Sequence, residues 1–168
     1  MPDLNRLLLW ALCALSLAFG TGSLAQTRPA PSDRVVLQVS GKIGSGTMAQ
    51  FDLAMLDRLP QHRFTTHTPW NNGPVTFSGP LLRDVLAAVQ AQGTELMATA
   101  LNDYRVSIPM EDAQRFDLLL ATRIGGQTIP VRSKGPLFIV YPFDADRQLQ
   151  ANTYYERSIW QLKSIEVR

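Results

Sequence analysis

The sequence predicts an α+β domain, with mixed and antiparallel β-sheets and a few short helices. Three observations predict it. Most apolar segments are short and either alternate with polar residues or run continuously for four or five positions, as strands do. The clearest helical stripe, Leu81, Leu82, Val85, Leu86 and Val89, stands among strands rather than in a regular strand–helix alternation. No segment repeats, and no shift in composition marks a second domain.

The first 25 residues read as an export signal. Arg6 precedes an apolar run from Leu7 to Phe19, broken by Ser16, and Ser23-Leu24-Ala25 has the small-x-small pattern of a cleavage site. The run falls short of the roughly 20 residues that span a bilayer, so the cleaved chain is not expected to span one. Residues 26–33, with Pro29 and Pro31, read as a flexible tether, and residues 34–168 as a single domain in the periplasm. Cys13, the one cysteine, leaves with the signal, so the mature domain has no disulfide, thiolate ligand or cysteine nucleophile. With 16 Lys+Arg against 14 Asp+Glu and the signs mixed along the chain, nucleic acid is excluded as an expected partner.

The elements follow in order. Val35, Leu37 and Val39 alternate with polar or outward positions in a strand ending near Ser40, and Gly41 to Thr47 form a loop. Apolar residues at 53, 55, 56 and 59 predict a short helix over 51–59, stopped by Pro60. Residues 62–68 and 74–77 are strands around the turn Trp70-Asn71-Asn72-Gly73. Ser78 is placed as N-cap of the Leu81–Val89 helix, with Gly93 beyond its end. Residues 96–101 and 104–108 are strands around Asn102-Asp103, a turn pair. A short helix starts at Pro109. Residues 117–124 form a buried strand, Gly125-Gly126 a hairpin turn, and 128–131 its return arm. Residues 137–141 make another buried strand, 144–156 a polar loop and 158–167 a closing strand.

Four ordered segments together resemble one family. They are Ser78-Gly79-Pro80-Leu81-Leu82-Arg83-Asp84-Val85-Leu86, then Ile108-Pro109-Met110-Glu111-Asp112-Ala113 continuing through Asp117-Leu118-Leu119-Leu120-Ala121 to Gly126 and Ile129-Pro130, then Gly135-Pro136 leading to Tyr141-Pro142, and last Ser158-Ile159-Trp160-Gln161-Leu162-Lys163-Ser164-Ile165. Together they resemble the molybdopterin-binding domain of sulfite-oxidase-type oxidoreductases. The resemblance implies that family's fold, and molybdenum held by a pterin dithiolene and one protein cysteine just after a strand. The corresponding stretch here, Phe64-Thr65-Thr66-His67-Thr68-Pro69-Trp70, contains no sulfur, and a hydroxyl or imidazole does not reproduce a soft thiolate. Where the family places a pterin-phosphate lysine in its last strand, this chain has Trp160. Leu137 and Phe138 follow Pro136 where a cation often stands.

Candidate site residues group around that stretch. Thr66, His67 and Thr68 lie where the resemblance implies the pocket opens, and Trp70 and Asn71 continue the loop with Asn72. Asn102, Asp103 and Tyr104 resemble a family segment beside the cofactor, and Trp160 stands in for the lysine. Arg123, Arg132 and Lys134 converge if the Gly125-Gly126 hairpin folds over the pocket, and three cations in one cleft would favour an anion. His62 is five residues from His67, so the two face opposite sides of a strand and share no metal. The expected function is a periplasmic binding module for a small anionic ligand or a partner protein, with no cofactor and no metal. The alternative is a small molybdopterin-dependent oxidoreductase that holds its cofactor without a protein thiolate. A third reading is a structural or sensory subunit presenting an apolar surface to a membrane protein.

Overall fold

The protein is described by a computed structural model covering residues 30–44 and 46–168; the expected signal segment lies outside the described residues. Among the described residues the architecture is α+β, with three sheets and short helices between them. Among the described residues no helix is long and apolar enough to cross a membrane.

The largest sheet has the order β2-β1-β11-β5-β6. Its strands are β1 (Leu37–Gly41), β2 (Met48–Phe51), β5 (Glu95–Ala100), β6 (Arg105–Pro109) and β11 (Leu162–Val167). β1 runs parallel to β11, and every other pairing in this sheet is antiparallel. One face is apolar because the sequence alternates: Leu37 and Val39, Leu96 and Ala98, and Ile165 and Val167 are all buried. A second sheet, β3-β4-β8-β9, is built from β3 (Gln61–Thr66), β4 (Val75–Pro80), β8 (Arg123–Ile124) and β9 (Gln127–Thr128). Between them, β7 (Leu119–Ala121) pairs with β10 (Phe138–Val140), and all six residues are fully buried. Covered on both faces, these strands need no alternation, which is why their sequences are continuous apolar runs. A Cβ on Gly79 would lie 2.2 Å from the Leu120 carbonyl oxygen, so β4 approaches β7 this closely only through glycine. The expected hairpin is present: Gly125 and Gly126 have φ of 58° and 82° between β8 and β9, the left-handed pair that a two-residue hairpin loop uses.

Several expectations are corrected. The predicted 51–59 helix is α1 (Leu53–Asp57), and Phe51 ends strand β2 instead. Asp52 separates the two, because its carboxylate accepts from the Met55 N–H at 2.7 Å and caps the helix there. The same carboxylate accepts from the Ser32 and Asp33 amides at 2.8 and 3.2 Å, so the end of the expected tether is already fastened. Ser78 is not a helix cap. Antiparallel pairing to Arg63 draws it into β4, and α2 (Leu82–Ala88) starts after Leu81, its first amide donating to the Leu118 carbonyl at 2.8 Å. The 117–124 run is two strands in different sheets, turning at Thr122, whose N–H donates to the Ser78 carbonyl at 2.9 Å. The return arm over 128–131 is only Gln127–Thr128. The closing strand begins at Leu162, after Gln161 at φ 51° breaks the extended path.

The expected polar loop over 144–156 contains a 3₁₀ turn at Arg147–Leu149 and helix α4 (Asn152–Arg157). α3 (Met110–Arg115) and α4 are fastened together by Asp112. This buried carboxylate accepts from the Tyr141 hydroxyl at 2.7 Å and from Arg157 Nη1 at 2.8 Å. Burial first, and then the Asp112 hydrogen bond, push the Tyr141 hydroxyl far above its ordinary value, so it stays a donor.

Candidate functional site

Trp70 is the centre of the site. Pro69 and the turn after β3 carry its indole back over the apolar middle layer. There it meets Phe138 at 5.8 Å, Phe143 at 6.1 Å, Tyr155 at 6.2 Å and Trp160 at 5.4 Å between ring centroids. Trp160 reaches it because residues 158–161 do not continue β11, and Trp160 instead makes an isolated bridge to Phe138. Between these rings, the end of β5 and α4 lies a cleft of about 360 Å³. Its walls include Trp70, Trp160, Tyr155, Tyr104, Asn102 and Glu156.

Next to this cleft the loop carries a polar cluster. Thr66 is buried and its hydroxyl accepts from the Asp144 N–H at 3.0 Å. The Asp144 carboxylate in turn accepts from the His67 backbone N–H at 2.8 Å and from its Nδ1 at 2.9 Å. The backbone bond first, then the ring bond, hold the Asp144 carboxyl below the usual carboxylate range. An ionised carboxylate only accepts, so Nδ1 carries the proton and Nε2 is left toward solvent on a side chain 66% exposed. Thr68 donates to Asn71 Oδ1 at 3.0 Å, and Lys134 Nζ donates to the same oxygen at 3.1 Å. Lys134 also stands 5.9 Å from the Trp70 and Trp160 rings. Partial burial pushes its ammonium below the ordinary lysine value.

The structure thus puts Trp70, Asn102, Tyr104 and Trp160 on one cleft, with Asn71 and Lys134 touching its Trp70 side. Thr66, His67 and Thr68 form the adjoining loop. The three expected cations do not converge. Arg123 is spent on Asp57, bound through both guanidinium nitrogens at 2.7 Å each. Arg132 is exposed, and Lys134 is not part of the cleft lining. Asp103, at φ 63°, turns to Lys163 at 2.5 Å rather than to the cleft. Sequence reasoning missed Asp144, Tyr155 and Glu156, which all come from the expected polar loop over 144–156. The pair Tyr154-Tyr155 in an otherwise polar stretch was the available signal.

Fold and cleft together define an α+β domain with an aromatic ligand-sized recess, a class shared by proteins of different activity. The chain belongs to the oxidoreductase molybdopterin binding domain family, whose profile matches residues 26–145. No curated protein matches it significantly in sequence. Among solved structures, the crystal structure of the sulfane dehydrogenase SoxCD from Paracoccus pantotrophus is similar in fold. It superposes with a TM-score of 0.60 at 16% identity, over 78% of this chain and 37% of that one. This chain therefore spans a little over a third of that protein's length.

The family binds molybdopterin, and thiolate-held molybdenum requires a protein cysteine at the site. No cysteine occurs among residues 30–168. Among the described residues no three His, Cys, Asp or Glu side chains come together as a metal-holding group. The position where the resemblance places a phosphate-binding lysine holds the Trp160 indole, packed on Trp70 and Phe138. These residues do not fit a molybdenum centre ligated by a protein thiolate.

Proposed function

We propose that this chain is an exported, periplasmic binding module on the molybdopterin-domain fold, working without thiolate-ligated molybdenum. The observation that carries the reading is the donor set after β3: Thr66, His67 and Thr68, with no sulfur, held in place by Asp144. The export part rests on the Leu7–Phe19 run and Ser23-Leu24-Ala25. The binding part rests on the aromatic cleft. An anionic ligand loses support because Arg123 is committed to Asp57 and Arg132 stands apart from the recess.

The test is purification from the periplasm of a host that makes the pterin cofactor, followed by elemental analysis for molybdenum and pterin fluorescence after denaturation. The expected result is a folded protein starting at Gln26 with neither at stoichiometric level. A second reading has one observation in its favour. His67 presents a free Nε2 while Nδ1 is fixed by a carboxylate, the way metal-ligating imidazoles are held. Near-stoichiometric molybdenum lost on His67→Ala would establish that reading, a thiolate-free oxidoreductase, and overturn ours.

A further inference from the structure

The cleft lining has a charge character of its own: four aromatic rings, one carboxylate and no cation. We propose that it binds a small organic cation, a methylated ammonium group, between Trp70, Trp160, Tyr104 and Tyr155 with Glu156 as counter-charge. This deepens the binding-module reading of the same site and rests on it.

The rings meet at steep angles rather than lying in one flat patch. Trp160 stands at 86° to Trp70, and Tyr155 at 78° to it. Rings packed edge to face turn both edges and faces toward an open cleft, and aromatic faces carry the negative side of the ring quadrupole, which attracts a cation. Tyr104 also lines the cleft. It is 49% exposed, and its hydroxyl donates to the Glu156 backbone carbonyl at 3.5 Å, which leans the ring toward α4. The Glu156 carboxylate has no hydrogen bond or ion pair among the described residues, so it has a charge left to give.

Size argues for a small ligand: about 360 Å³ is near the lower end of small-molecule sites, which run from roughly 300 to 1,000 Å³. A methylated ammonium suits these walls better than a bare one. It is weakly hydrated, and its methyl groups pack on rings that offer few acceptors. Lys134 lies outside the lining, 5.9 Å from both indoles and hydrogen-bonded to Asn71 Oδ1, so Glu156 is the charged group that lines the cleft itself.

The test is calorimetric titration of the exported protein, after the metal and pterin analysis above, with choline, its uncharged carbon isostere 3,3-dimethylbutan-1-ol, and benzoate. Choline is expected to bind, with the isostere about tenfold weaker and benzoate weaker still, the size of a cation–π and charge contribution. Glu156→Gln is exposed and unpartnered, so it should weaken choline about three- to tenfold at unchanged melting temperature. Tyr104→Ala should weaken it by a similar factor. Equal binding of the isostere, tighter binding of benzoate, or no choline binding by folded, cofactor-free protein would each overturn the inference while leaving the module reading standing. Stoichiometric molybdenum in the same sample would instead overturn the module reading.

Discussion

Asp112 and Asp144 are each gripped by groups from distant parts of the chain, but in different surroundings. Asp112 is 7% exposed and joins α3, the Tyr141 end of β10 and α4 through Tyr141 and Arg157. Asp144 is 39% exposed and holds one loop by the amide and ring of His67, itself 66% exposed. The first cluster positions the helix that carries Tyr155 and Glu156. The second positions only the loop in front of it. In water, partners of a lost carboxylate find new hydrogen bonds; in the interior they do not. Similar bond lengths therefore carry different energetic weight.

This contrast is broken or sharpened by four measurements. Asp112→Ala leaves Tyr141 and Arg157 without their acceptor, and should cost about 3–5 kcal/mol in urea denaturation, with Asp112→Asn costing less. A loss below about 1 kcal/mol would erase the difference between the clusters. The second measurement is the acid limb of stability. Asp52, Asp144 and Asp103 are held below their ordinary value of 3.8, by the Met55 amide, the His67 amide and the Lys163 ammonium respectively. Their folded pKa lies below the unfolded one, so their stabilisation is complete above pH 3.8 and disappears as the pH falls through the lowered values. Melting temperature should be flat with respect to these groups at neutral pH and fall below that point, more gently in Asp52→Asn. Third, Asp144→Ala should cost about 1 kcal/mol or less, and leave the cleft's ligand affinity within about twofold. Last, Arg123→Met removes an ion pair that is one-third exposed on each side. It should cost about 0.5–1 kcal/mol and leave binding at the cleft unchanged; a clear loss of binding would restore the converging-cation reading.

The sequence shows the strands most plainly where one rule governs a segment. β1 and β5 alternate because one face is covered, and β7 and β10 run apolar because both are. The fold misses lie where a local pattern is overruled by a distant partner. Ser78 looks like a cap, but the β3 ladder reaches it first. Residues 117–124 look like one strand, but the bond from Thr122 to Ser78 sends its two ends into different sheets. α4 is invisible to periodicity because it has no buried residue of its own; Asp112 fastens it through Arg157. The site divides the same way. Trp70, Tyr104 and Trp160 are visible as large aromatics beside turns, whereas Asp144 and Glu156 matter only through where the chain returns.

The order of the large sheet gives the domain a directional mechanical strength. β1 and β11 are direct neighbours and run parallel, with Gln38 to Gly41 in register with Ser164 to Val167. Force applied at Arg34 and Arg168 pulls β1 backward from its first residue and β11 forward from its last. The two strands must then slide past each other with all their ladder bonds loaded together, whereas a hairpin such as β8–β9 peels one bond at a time. Pulled along that axis, the domain should resist as a shear joint; pulled across the hairpin, it should open like a zip.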